Sequence, residues 1–525
     1  MTSRSSAAEK IIVDPLPSKR ISTRVAAIGR AKSAPLAGNL TVIVPLAGGD
    51  AVFEKLKAEL ELIDGEIKSK KGELLRGVKH LHVARWVLLP ARVRGLGKEI
   101  EPSLAMWTVF DGDRYDLVFE LVASARPLLD RIYQHCRDYP GPRAPARDVE
   151  DYLLLHKSAS RVAAYDGTPG RSTEIIEAQE NLATELATFV RDAKNRGLPN
   201  KYVFLEAQRF VDDDLFGRRR DLAEFARKRF TLEKCSVVVD LALEIVRTIL
   251  GAGTRATLLL VSFLLAVEYC AFVLGKELGE RFLLTWPQTF GTVIGLMLLM
   301  PAAVGALTVA LWILALRRVE AREALSWVPV PDLDFRAHHE RLKERDNEES
   351  GMNRMTILTD VKPGLFRRIT CHTVLGAIAL RARRNHDGVL DGVETIHFAQ
   401  WRFVDRGKRL LFMSNYDGDA LQYFQDFSNN AAPGINAIWG NTEGFPPTEN
   451  FVGGGARNLE EFRNAARVHQ IPTDVWYFGY TDRRYATCRI NDNWLIHACL
   501  NSFPTPRQVD HWVTTLELRA GLPSP

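Results

Sequence analysis

VKHLHVARWVLLP at residues 78–90 returns as VETIHFAQWRFVD at residues 393–405, matching Val78 to Val393, His82 to His397, Ala84 to Ala399 and Trp86 to Trp401. LAMWTVFDGD at 104–113 then returns as LLFMSNYDGD at 410–419, with Leu104 on Leu410 and the triplet Asp111-Gly112-Asp113 on Asp417-Gly418-Asp419. At this second offset of 306, with no further gap, Pro127 falls on Pro433, Ile132 on Ile438 and Pro140 on Pro446. Register held over that length marks an internal duplication.

Periodicity gives each copy a coarse shape. In the second, Met355 to Val361 reads as a strand and Gly364 to about Asn385 as a helix. Thr395 to Val404 and Arg409 to Tyr416 read as strands joined by the turn Asp405-Arg406-Gly407-Lys408, followed by a helix from about Asp419 and a strand near Asp474 to Gly479. The order βαββαβ is that of the ferredoxin-like split βαβ. In the first copy Leu40 to Leu46, a helix from Asp50 and the strands Val78 to Leu89 and Ser103 to Phe110 repeat the opening. The expected fold is α+β: tandem ferredoxin-like repeats forming a pseudo-dimeric barrel, interrupted by a two-helix transmembrane hairpin.

That hairpin is read from two apolar runs. Residues 256–275 carry one charge, Glu268, and residues 290–316 carry none, lengths that suit a bilayer crossing. Arg247 and Arg255 precede the pair and Arg317, Arg318 and Arg322 follow it, against Lys276 and Arg281 in the connection, which predicts both ends in the cytoplasm. The expectation is a multi-pass protein of the inner or plasma membrane with the lipid bilayer as partner. Gly291 and Gly295 have the GxxxG spacing of a close helix contact, which would serve a homodimer. The resulting division is a disordered basic leader (1–38), a first repeat (39–145), a helical charged region (146–230), an amphipathic juxtamembrane helix (231–253), the hairpin (256–316), a charged linker (317–352) and a second repeat with a C-terminal extension (353–525).

The formal charge is +5, and the first forty residues hold seven Lys/Arg against two acidic residues, so the rest is neutral overall and no basic face for nucleic acid is expected. Six scattered cysteines offer no CxxC pair and no zinc spacing, so no metal site is expected.

Candidate site residues concentrate in the second copy. His397 and Trp401 share a strand face, and Asn415, Tyr416 and Asp417 close the next strand. Val109 and Phe110 replace Asn415 and Tyr416 in the first copy, and His135 replaces Asn441, so a polar pocket walled by Trp401, Tyr416 and Trp439 fits the second copy better than the first. Core packing is the alternative for the histidines, and helix capping for the Asp-Gly-Asp turn. Gly454, Gly455 and Arg457 precede a helix and could receive an anion, against the simpler reading of a helix entry.

The motifs IHFAQW, SNYDG, AAPGINAIWGNTEGFP and HQIPTDVWY, between Ile396 and Tyr477, resemble a group of uncharacterised bacterial membrane proteins. The tandem arrangement resembles the dimeric α+β barrel superfamily, which includes dye-decolorising peroxidases, chlorite dismutases and small monooxygenases. That resemblance implies a cavity between the sheets and, in haem-binding members, a histidine on iron with a distal Asp or Arg. Ser414-Asn415-Tyr416-Asp417-Gly418 lacks the first glycine of the peroxidase GxxDG motif. Two functions are expected from these readings. One is a membrane protein whose cytoplasmic barrel binds a small apolar ligand or a partner; the other is a membrane-anchored oxidoreductase, either peroxidase-like with haem as its cofactor or monooxygenase-like without a cofactor.

Overall fold

In the computed structural model the described residues are 37–69, 73–94, 98–158, 162–213, 254–281, 285–329, 352–384, 390, 392–418, 420–479, 487–500 and 504–521. Nearly all of the expected leader, the whole juxtamembrane helix and residues 330–351 of the expected linker lie outside them. For most of 256–265 and 286–302 the backbone alone is described.

The first half runs β1 (Gly38–Pro45), α1 (Asp50–Ser69), β2 (Leu81–Leu89), a small hairpin of β3 (Arg92–Arg94) and β4 (Lys98–Ile100), β5 (Ser103–Phe110) and α2 (Arg114–Tyr133). It continues with α3 (Ala146–Leu155), β6 (Val162–Asp166), α4 (Thr173–Asn195) and α5 (Asn200–Asp212), and the long helices α6 (Thr254–Arg281) and α7 (Trp286–Ser326) follow. The second half runs β7 (Met352–Asp360), α8 (Leu365–Arg384), β8 (Ile396–Val404), β9 (Arg409–Asp417), α9 (Ala420–Asp426) and α10 (Ala432–Trp439). It closes with β10 (Thr448–Glu449), β11 (Gly453–Gly454), α11 (Leu459–Val468), β12 (Val475–Phe478), α12 (Thr487–Leu500) and α13 (Pro506–Ala520).

The α+β class holds, with antiparallel sheets. The two main sheets have orders β1-β5-β2-β12 and β6-β8-β9-β7. Each therefore borrows a short strand from the other half: β12 pairs with β2, Val475 opposite Trp86, and β6 pairs with β8, Val162 opposite Arg402. Just before each crossing the chain runs beside its own first strand. His156 O accepts from Ile43 N (3.1 Å) and Ser158 N donates to Thr41 O (2.8 Å). His469 O accepts from Leu358 N (3.0 Å) and Ile471 N donates to Thr356 O (2.9 Å), the same pattern in the second half. Sheet edges that would otherwise be open are thus paired.

Strand alternation separates two kinds of core. Leu40, Val42, Trp86 and Met106 face α1 and α2, while Ile357, Trp401 and Phe412 face α8 to α11. The other faces meet, with Val83, Val87, Trp107, Val109, Phe398, Leu411 and Met413 packed between the sheets. Among them sits the fully buried Arg85. Its guanidinium donates to Met355 O (3.1 Å), Ser414 O (2.8 Å) and Asn415 Oδ1, and lies 4.8 Å over Trp107. A buried cation needs partners for its donors, and both terminal nitrogens of this guanidinium find oxygens of the opposite sheet. A third cluster, from α4, α5, α12 and α13, includes Leu182, Leu186, Trp512 and Leu516.

The membrane expectation is overturned. Among the described residues no helix is long and apolar enough to cross a membrane. With the transmembrane hairpin fall the multi-pass plasma-membrane location with cytoplasmic termini and the membrane-bound form of both expected functions. The two runs form α6 and α7, packed so closely that a Cβ on Gly275 would stand 2.8 Å from Val293 Cα. The second run continues without a break to Ser326, and its far end is built into the second half. Trp312 Nε1 donates to Thr370 Oγ1 (3.2 Å) and its ring meets Phe451 edge-on. Glu320 accepts from Thr448 Oγ1 (2.6 Å) and Phe451 N (2.9 Å), and Glu323 pairs with Lys362 and Arg367. Protein packing therefore takes up the end of a run whose apolarity reads as lipid contact. Tyr269, Phe272, Leu307 and Leu311 remain exposed. The surroundings of Gly291 and Gly295 lie outside the described side chains.

Arg85→Ala removes the donors that join the sheets and leaves a cavity, and should cost about 3 kcal/mol of unfolding free energy by urea denaturation.

Candidate functional site

The repeated residues form repeated pairs. His82 Nε2 donates to Asp111 Oδ1 (2.9 Å), and His397 Nε2 donates to Asp417 Oδ1 (2.8 Å), since a carboxylate only accepts. Both histidines sit where strand register slips, between Leu81 and Val83 and between Ile396 and Phe398. A bulge of this kind re-aims a side chain. The crossing strands end at the same places, where Gly479 N donates to His82 O (2.8 Å) and Gly167 N donates to His397 O (2.7 Å). A Cβ on Gly479 would stand 2.3 Å from Leu81 O, and one on Gly167 2.3 Å from Ile396 O. Only glycine allows either approach.

Asp111 also receives Thr173 N (2.9 Å), at the first turn of α4. Burial alone would raise its pKa; the His82 charge and hydrogen bond, helped by Thr173, outweigh burial and hold the carboxyl below its usual value. Capping of α2 falls to Asp113, which accepts from Tyr115 N (2.7 Å). Asp111 is thereby left to the histidine.

The expected site residues divide among different environments. His397 is fully buried, edge-on to Phe478 at 5.6 Å. Asn415 lies between the sheets, its Oδ1 also accepting from Trp476 Nε1 (3.2 Å). Trp401, Tyr416 and Trp439 face the helices instead. Trp401 packs on Phe412 at 4.7 Å, Tyr416 stacks on Tyr423 at 4.0 Å, and Trp439 meets Phe412 at 5.7 Å. Asn441 closes α10, donating to Ala437 O (2.8 Å) and accepting from Arg367 (3.2 Å). Thus Asn415 with Asp417, and Tyr416 with Trp439, belong to opposite sides of one sheet. The glycine loop is organised around Asn436, whose Nδ2 donates to Gly453 O and Gly454 O and whose Oδ1 accepts from Ala456 N. Gly455 N donates to Pro447 O (2.9 Å), and Arg457 is exposed on the far side of this turn.

A pocket opens on the helix side of the second sheet, between β7, β9 and α9 to α11. Phe412, Tyr423, Phe424, Ile435, Trp439 and Phe462 wall it, and Thr359, Thr442, Glu443 and His469 also line it. Its open volume is about 20 Å³. Trp439 was legible as a lining residue; Tyr423, Phe424, Phe462 and His469 were not singled out. Aligned at the sequence offset of 306, the first half has Leu117, Val118 and Leu121 where the second has Tyr423, Phe424 and Phe427. Among the described residues no group of three or more His, Cys, Asp or Glu could hold a metal ion.

No protein-family model, curated protein or solved structure matches the chain.

Asp111→Asn removes the charge facing His82 and weakens the start of α4, and should lower stability by about 1–3 kcal/mol in urea unfolding. Burial, then a nearby arginine, pushes His469 and His497 down to about 4 from 6.5. Both stay neutral in the fold but protonate in the unfolded chain, so their contribution is complete above about 6.5 and is lost as pH falls toward 4. Tm should drop by at least ~2 °C over that window in a calorimeter, and less in His497→Gln.

Proposed function

We propose that the protein is a duplicated ferredoxin-like module closed into one barrel, and that its second copy binds a small ring-bearing molecule in the pocket above its sheet. Support for the barrel comes from the matched hydrogen bonds of His156 and Ser158 in one half and His469 and Ile471 in the other. Each fourth strand starts beside its own first strand, then crosses to the other sheet.

The observation that carries the binding reading is the divergence between copies. In the first half Tyr133, which corresponds to Trp439, is buried and its hydroxyl donates to Met106 Sδ at 3.4 Å. In the second half larger aromatic residues leave the pocket between them. The open space among these rings is about 20 Å³, well short of the roughly 300–1,000 Å³ of an ordinary ligand site. Because the freely accessible part is so much smaller, a ring enters by moving Phe462 and its neighbours apart. The interior between the sheets supports no such reading, being occupied by Trp107, Phe398, Met413 and Arg85.

A fluorescent aromatic probe such as 1-aminoanthracene should bind saturably with one-to-one stoichiometry. Ile435→Trp, which fills the pocket, should weaken it at least tenfold while leaving the circular dichroism spectrum intact. Equal binding by the variant would rule the pocket out.

A further inference from the structure

We propose that the pocket selects a ring carrying one uncharged hydroxyl-type group, held at the end marked by Thr359 and His469. This rests on the pocket being a binding site. Thr359 is buried, lines the pocket, and its Oγ1 has no hydrogen-bond partner among the described residues. Buried hydroxyls almost always have a partner, and this one can both donate and accept. A ligand hydroxyl satisfies it in either direction.

The charges around this end argue against an ionised head. His469 lines the same pocket, and burial followed by Arg92 pushes its pKa down to about 4, so at neutral pH the ring is uncharged. Arg92, reaching over from the β3–β4 hairpin of the first half, is paired with the buried Asp360 and lies 3.7 Å from Glu443. A carboxylate head would meet the Glu443 carboxylate, and the cation beside it is already engaged. An ammonium head would lose its hydration among Phe412, Trp439 and Phe462 and compete with Arg92 for Glu443. Moving a charge into such walls costs far more than moving a phenol or an alcohol. The rest of the lining, Met355, Ile357, Ala465 and Ala466, offers only apolar contact.

Four single-ring probes of matched shape test this on the full chain by titration calorimetry: toluene, p-cresol, p-toluate and 4-methylbenzylammonium. p-Cresol should bind about tenfold more tightly than toluene, as one neutral hydrogen bond to a buried group allows, and both ions more weakly than toluene. In Thr359→Val the advantage of p-cresol should vanish while toluene binds as before. Tighter binding of either ion, or a p-cresol advantage that survives Thr359→Val, would overturn the hydroxyl assignment and leave the pocket standing. Failure of all four to bind would overturn both.

Discussion

The structure depends on an exchange of short strands. β12 completes the sheet of the first half and β6 completes that of the second, so neither sheet has all four strands from its own half. A four-stranded antiparallel sheet with one face on helices must cover its other face. Here the two open faces cover each other, and the crossing strands fix which residues meet. Arg85 is a consequence of that geometry: its donors reach carbonyls of the other sheet only because the sheets are held in register. The halves therefore form one body, and a change at the crossing acts on both.

The two halves keep some groups in common and differ in others. Both keep a histidine at a bulge, an aspartate across from it, and a glycine ending the crossing strand. These groups serve the join, and the join needs them twice. The aromatic pocket of the second half lies where the two helix layers differ in bulk. Buried polar pairs of this kind contribute as much to setting one register as to net stability.

What the sequence revealed follows the same division. His82, His397, Asp111-Gly112-Asp113 and Asp417-Gly418 were visible as matching stretches because each residue type is demanded by a bond or a positive φ, as at Gly112 and Gly418. The strand near Val475 was visible by its alternation. Its partner was not, since four residues of alternating pattern fit the edge of either sheet. Asn441 and Tyr416 carry the chemistry of a site but do the work of a helix end and of an aromatic stack. Apolar runs report only that water is avoided, which is why residues 290–316 read as a lipid crossing when Trp312 and Leu316 pack on protein. Pocket volume is a difference between large side chains, and no pattern in the chain encodes it.

The exchange is tested most directly by a cross-link between halves. Val83 and Phe478 lie opposite each other on β2 and β12, within the separation that antiparallel neighbours need for a disulfide. In a variant carrying Val83→Cys and Phe478→Cys, with the six native cysteines replaced, mild oxidation should join the peptides containing the two positions in a proteolytic digest read by mass spectrometry. Recovery of both peptides unlinked from folded protein would contradict the exchange, and with it the account of how the two halves are held together.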